Sequence, residues 1–193
     1  WFLDPLNKKG PDFERNKQRI LDKINVVDSS FLTTSPSALN FIPKNKNVHY
    51  IPNPSDKSFE TLNNFLSPCN VDVFFALSHG VHRGVLKTGK TDDRINFVNK
   101  LISKTPNVKF DLYGINNIQP IWADHYFKTI SNAKMGLNLS RGEAIKYYSS
   151  DRITQIIGNG LVCLIDEKTQ YKNFFNDKEM VFYKDIDDLS EKI

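Results

Sequence analysis

After Pro68 the chain alternates short apolar runs with longer amphipathic ones, and nothing else in it limits the fold as tightly. Residues 71–77 (VDVFFAL) are an apolar run of strand length. Residues 92–104 (DDRINFVNKLISK) repeat apolar side chains at helical spacing, with Thr91 or Asp92 placed to cap. Further strands are predicted at 108–113, 135–139, 161–165 and 180–183, and helices at 125–133, 151–158, 170–175 and 186–193. Strands separated by helices cannot pair as hairpins, so the order implies an α/β fold: a parallel sheet with helices on both faces. Ligands of such sheets bind beyond the carboxyl ends of the strands. That rule selects the loops after Leu77, Tyr113, Leu139 and Ile165.

Before Pro68 the pattern is less regular. A helix is predicted over 12–24 with Asp12 as cap, an extended stretch over 26–34, a short helix opening at Ser35-Pro36 and a strand over 48–51. Pro52-Asn53-Pro54 then interrupts regular structure, because each proline removes an amide donor and holds the preceding residue extended. It reads as a linker, dividing the chain into residues 1–47 and 48–193. A further helix is expected over 58–65.

Composition excludes several classes. Of 193 residues, 39% are apolar and 25% charged, which suits a folded core rather than a disordered chain. No apolar run approaches the ~20 residues that span a bilayer, and no signal-peptide pattern opens the chain. The chain begins at Trp1 rather than Met, as a portion of a longer protein would. Two cysteines, Cys69 and Cys163, are too few for a disulfide framework, and no Cys/His cluster has zinc spacing. A reducing, cytoplasmic setting is therefore expected. The net charge of +4 is mild and interspersed, so nucleic acid is not an expected partner. The same bias suits an anionic small ligand or peripheral association with an acidic membrane surface.

Two constellations carry chemistry. In the loop after residues 71–77, Gly80 and Gly84 allow close backbone approach, while Arg83 and Lys87 supply positive charge, with Lys90 and Arg94 beyond. This composition suits a diphosphate, and it equally describes a solvated basic loop. His79 follows the strand end, where it could titrate near neutrality, and is the candidate catalytic residue. The second constellation runs Gly136-Leu137-Asn138-Leu139-Ser140-Arg141-Gly142, then Tyr147-Tyr148-Ser149-Ser150-Asp151-Arg152-Ile153-Thr154-Gln155. A strand tip leads to a helix start, whose free amides form an anion site. Arg152 could reach a phosphate there, and Gln155 ribose hydroxyls. The bland reading makes Asp151 an N-cap and Arg152 a surface charge. Gly158-Asn159-Gly160 closes that helix. Asp185-Ile186-Asp187 is better read as the cap of the last helix than as a metal motif.

The order of strand, Asn-Leu-Ser-Arg-Gly, Ser-Ser-Asp-Arg-x-x-Gln, small-residue stop and apolar strand resembles the C-terminal domain of GT-B glycosyltransferases. It is most similar to group 1 enzymes and the branch that includes the spore-maturation CgeB-like proteins. Residues 50–54, 92–94 and 110–114 are similar to the linker, the charged helix start and the Tyr-Gly strand end of that domain. The resemblance covers roughly residues 48–193. It implies a Rossmann-like sheet forming the C-terminal half of a GT-B fold, with residues 1–47 the tail of a preceding Rossmann-like domain. It also implies transfer of a sugar from a nucleotide diphosphate sugar to a glycan, lipid or protein acceptor, probably the chemistry of cell-surface glycan synthesis, without cofactor or metal. Carried over, donor contacts fall on Arg83, Lys87, Arg94, Gly114, Asn138, Ser140, Arg141, Ser149, Ser150, Asp151, Arg152 and Gln155. Where retaining members carry two glutamates eight positions apart, this chain has Tyr147 and Gln155. A nucleotide-sugar 2-epimerase and a non-catalytic carbohydrate- or partner-binding module are the alternatives.

Overall fold

The computed structural model describes residues 13–78, 93–148 and 150–193, together with the backbone of 81–82 and 85–86. Helix α1 (Phe13–Val26) precedes a parallel pair, β1 (Ser29–Leu32) and β2 (Asn47–Tyr50). Then come β3 (Val71–Ala76), the short antiparallel pair β4 (Val81–His82) and β5 (Val85–Leu86), and helix α2 (Asp93–Lys104). The remainder runs β6 (Phe110–Tyr113), α3 (Ala123–Ile130), β7 (Ala133–Asn138), α4 (Arg152–Gly158), β8 (Val162–Asp166), β9 (Met180–Tyr183) and α5 (Ile186–Lys192).

Five strands form one parallel sheet in the order β6-β3-β7-β8-β9. The chain steps from β3 outward to β6, then returns past β3 to β7 and continues the other way. This doubly wound, Rossmann-like order reverses direction between β3 and β7, where a crevice opens at the strand ends. Alternation along each strand fills two cores. Phe74, Cys163 and Ile165 meet Ile130 of α3 and Ile153 and Ile156 of α4 on one face. Val73, Phe75, Leu137 and Leu164 meet Val98 and Leu101 of α2 and Leu189 of α5 on the other. Helices thus cover both faces, as the apolar strands require. Gly136 lets α4 seat directly on the sheet, since a Cβ there would lie 2.5 Å from Ile156 Cγ1.

A third, smaller core joins Ile20, Ile24, Leu32 and Leu39, with Ile145 of the loop after β7 packed against it. The Ser35 amide also donates to Lys146 O at 3.1 Å. The division at 47/48 falls at the start of β2, whose partner β1 lies on the earlier side.

Several elements differ from expectation. Residues 58–65 are not a helix; they form a turn followed by a 3-10 turn at Asn64–Leu66. The Asp56 carboxylate accepts from Ser58 N and Oγ, and Glu60 accepts from Asp56 N, so side chains take the amides a helix would use. Asn159 then pins the segment, its Oδ1 accepting from Leu62 N and its carbonyl from Asn64 N. Asn64 in turn donates to the carbonyls of Ile130 and Ala133. The helix expected over 125–133 ends at Ile130, and Ala133 already pairs with Val71 as strand. The helix expected over 170–175 is a 3-10 turn, Tyr171–Asn173, entered through Gln170 in the left-handed region. Asp185 does cap α5, accepting from the amides of Asp187 and Asp188.

Gly114 closes β6 at φ +70, where an added Cβ would overlap the carbonyl of Leu77. Gly114→Ala combines a left-handed penalty with an overpacked contact, together about 3 kcal/mol. A lower urea midpoint at unchanged slope is the expected result.

Candidate functional site

A cavity of about 310 Å³ opens at the point where the sheet reverses direction, lined by residues from three elements. Ala76, Leu77 and Ser78 form its floor at the end of β3. Ile121, Trp122, Ala123, Tyr126 and Phe127, from the start of α3, form one wall. Asp151, Arg152 and Gln155, from the start of α4, form the other. One wall is therefore apolar and aromatic, the other polar and cationic.

Arg152 dominates the polar wall. It is partly buried, and its Nη1 donates to Leu139 O at 3.2 Å and to Ser150 Oγ at 3.3 Å. Its guanidinium lies 5.1 Å from the centroid of the Phe75 ring, a cation–π contact. Burial, and after it the positive charge of Arg94, holds the guanidinium below its ordinary pKa, but arginine stays charged. Among the described residues no carboxylate lies within ion-pair distance of it. The negative charge of Asp151 acts on it from a distance, but among the described residues its direct contacts are a carbonyl, a hydroxyl and a ring, an arrangement that favours an anion in the adjoining space.

On the opposite wall the Tyr126 ring meets Phe74 edge-on at 5.4 Å. Its hydroxyl is buried and makes no hydrogen bond. Burial pushes the phenol up to about 12, with the Arg152 charge opposing, so it stays protonated at neutral pH. Trp122 stands at the rim, 47% exposed, and Ala123 after it takes φ +49.

Of the donor contacts expected from sequence, Asp151, Arg152 and Gln155 line the cavity together. Arg94 lies in the first turn of α2, close enough for its charge to act on Arg152. Gly114 is buried beneath the strand end. Asn138 is buried at the tip of β7, Ser140 is partly exposed beyond it and Arg141 is exposed. Ser150 supports Arg152 through its hydroxyl. None of these six is among the described residues of the cavity lining. His79, Arg83, Lys87 and Ser149 lie outside the described residues.

The bland reading of Asp151 and Arg152 is corrected at α4. Asp151 stands at the N-cap position with helical φ/ψ, and its side chain makes no capping bond. The amides of Ile153, Thr154 and Gln155 are taken by the carbonyls of Ser150 and Asp151 within the turn, so any amides open to an anion are those of the residues before Ile153. The Arg152 side chain is partly buried against the cavity and is not the surface charge of the bland reading. The aromatic wall went unread in the sequence. Its only signal was the Trp122–Tyr126–Phe127 spacing, which reads equally as the core face of a helix.

Fold and cavity together define an open, doubly wound α/β protein with a cavity at the carboxyl edge of the sheet, where proteins of this class take their ligands. Within that class, residues 94–193, more than half of the chain, match the model of the glycosyl transferase-like family, and the chain belongs to that family. The membership supports a function of the glycosyltransferase type. No curated protein and no solved structure matches the chain. Among the described residues no helix is long and apolar enough to cross a membrane.

Tyr126→Phe removes the unpartnered buried hydroxyl while keeping the ring. The unliganded protein should gain up to about 1 kcal/mol, because an unsatisfied buried polar group is lost without loss of packing. A thermal midpoint that falls would mean the hydroxyl has a partner in solution.

Proposed function

We propose that the protein is a glycosyltransferase whose cavity holds the nucleoside diphosphate of a sugar donor, the sugar passing to a hydroxyl of a glycan, lipid or protein acceptor. The observation that carries this reading is Arg152, a partly buried guanidinium with no ion pair among the described residues, facing a cavity whose other wall is apolar. A nucleoside diphosphate has the same two-part character. Its anionic portion suits Arg152 and the nearby charge of Arg94, and its nucleoside portion the α3 wall. The volume lies at the small end of the roughly 300–1,000 Å³ of ligand pockets, enough for part of a donor with the remainder outside.

In the transfer, the bond from the anomeric carbon to the diphosphate oxygen breaks and a bond to the acceptor oxygen forms. The acceptor's proton passes to a base, and charge gathers on the departing diphosphate. Arg152 and Arg94 would stabilise that charge, with Arg83 and Lys87 from the basic loop, in the way fixed cations stabilise a transition state. Gln155 would bind ribose hydroxyls, and His79 is the candidate base. Neutralisation by side chains calls for no metal or cofactor. A setting in the cytoplasm, at the membrane surface where the acceptor is a lipid, fits this role.

Ligand-induced stabilisation checks the reading. A nucleoside diphosphate or its sugar conjugate present at 100 times its dissociation constant should add about 2.7 kcal/mol to the unsubstituted chain. Arg152→Ala should weaken that binding by about 30-fold or more, the consequence of removing a partly desolvated charge partner. Equal binding by the variant, as a carbohydrate-binding module would give, contradicts the reading. Formation of an epimeric donor with no acceptor present would transfer it to the epimerase class.

A further inference from the structure

Accepting the cavity as a nucleoside diphosphate site, we infer that Trp122 is the platform on which the base stacks, and that the site accepts several bases, with purines bound more tightly than pyrimidines. The indole stands 47% exposed at the rim of the cavity although tryptophan is among the most costly side chains to leave in water. It is held there by backbone that a loop without a task would avoid. Trp122 itself is extended, Ala123 then turns to φ +49, and the Trp122 carbonyl accepts the Tyr126 amide at 3.3 Å as α3 begins. A non-glycine residue in that region persists only where its surroundings impose it, and such residues gather at ligand sites.

The wall carrying Trp122 is otherwise Ile121, Ala123, Tyr126 and Phe127. Its one side-chain hydrogen-bonding atom among these is Tyr126 Oη, and that atom is buried. Ser78, Asp151, Arg152 and Gln155 belong to the floor and the opposite wall. A ring on Trp122 is thus gripped through its face, while among the described residues no set of side chains on that wall meets its edge. Stacking is tolerant of base identity because every base has a π-face, and its strength grows with the overlapping area. Sites that read polar edges discriminate by about 10⁴-fold or more, whereas apolar contact discriminates by no more than about 200-fold.

The chain has two tryptophans, so Trp1→Phe leaves Trp122 as the sole indole reporter in the full-length chain. Titration with ADP, GDP, UDP and CDP should quench its emission in every case, with affinities spread over less than about 200-fold and the purines tighter. Trp122→Ala, followed by ligand-induced thermal shift, should weaken all four by about 5- to 150-fold, and Trp122→Phe by less. The half-exposed position of the indole predicts an unliganded midpoint close to that of the unsubstituted chain. Unchanged binding by Trp122→Ala overturns the inference, as does a preference for one base above about 200-fold. So does a loss confined to diphosphate sugars with the free diphosphates unaffected, which would put the indole against the sugar. If no nucleoside diphosphate binds the unsubstituted chain, the transferase reading fails, and this inference with it.

Discussion

Val73, Phe74 and Phe75, three consecutive residues of β3, are completely buried on alternating faces of the sheet. Their burial leaves no solvated face, so helices must lie on both sides and every crossover must return over one of them. The ends of the strands are then the one part of the sheet that no helix covers. Because β6 lies on one side of β3 and β7 on the other, the helices after β3 and β6 diverge at β3, and the cavity opens above its end. The position of the site is thus a consequence of apolar content in β3. The same strand builds the site's floor with Ala76 and Leu77 and sets Phe75 beneath the guanidinium of Arg152.

Arg152 shows how a scaffold can hold a charge in readiness without neutralising it. Each of its contacts, Leu139 O, Ser150 Oγ and the Phe75 ring, fixes direction while leaving the full positive charge in place. A carboxylate in their place would have stabilised the empty protein more and an anionic ligand less. The charge of Arg94 lies close enough to act on Arg152 in the same sense. Tyr126, protonated across the cavity, has a buried hydroxyl with no hydrogen-bond partner among the described residues.

The sheet was legible because each of its strands is an apolar run bounded by glycine, proline or polar residues, and each long helix keeps its apolar stripe. Where local side chains compete with the backbone, the sequence misleads. The run 58–65 has helical composition, but the Asp56 carboxylate claims the Ser58 amide, Glu60 turns back to the Asp56 amide, and Asn159, nearly a hundred residues later, claims the amides of Leu62 and Asn64. No local pattern contains that clamp. At the site, Arg152 and Gln155 were legible because charge and amide groups near a helix start are uncommon in a core. The α3 wall was not, since aromatic residues one helical turn apart look the same whether they face a core or a cavity. What separates the two is the backbone reversal at Ala123, and alanine gives no warning of a positive φ.

Gln155 brings these points together. It stands one turn beyond Arg152 on the same wall, and where a glutamate would pair with the guanidinium or oppose an incoming diphosphate, the neutral amide does neither. It can still donate to and accept from neutral hydroxyls. A carboxylate at this position would add to the negative charge that Asp151 already brings to this wall and offset Arg152 further. With glutamine there, the positive field of Arg152 and Arg94 extends into the cavity undiminished by that neighbour. The substitution that sets this chain apart from the retaining pattern is therefore consistent with a site built to attract an anion strongly, and it leaves the fate of the sugar to groups other than a paired acid at this wall.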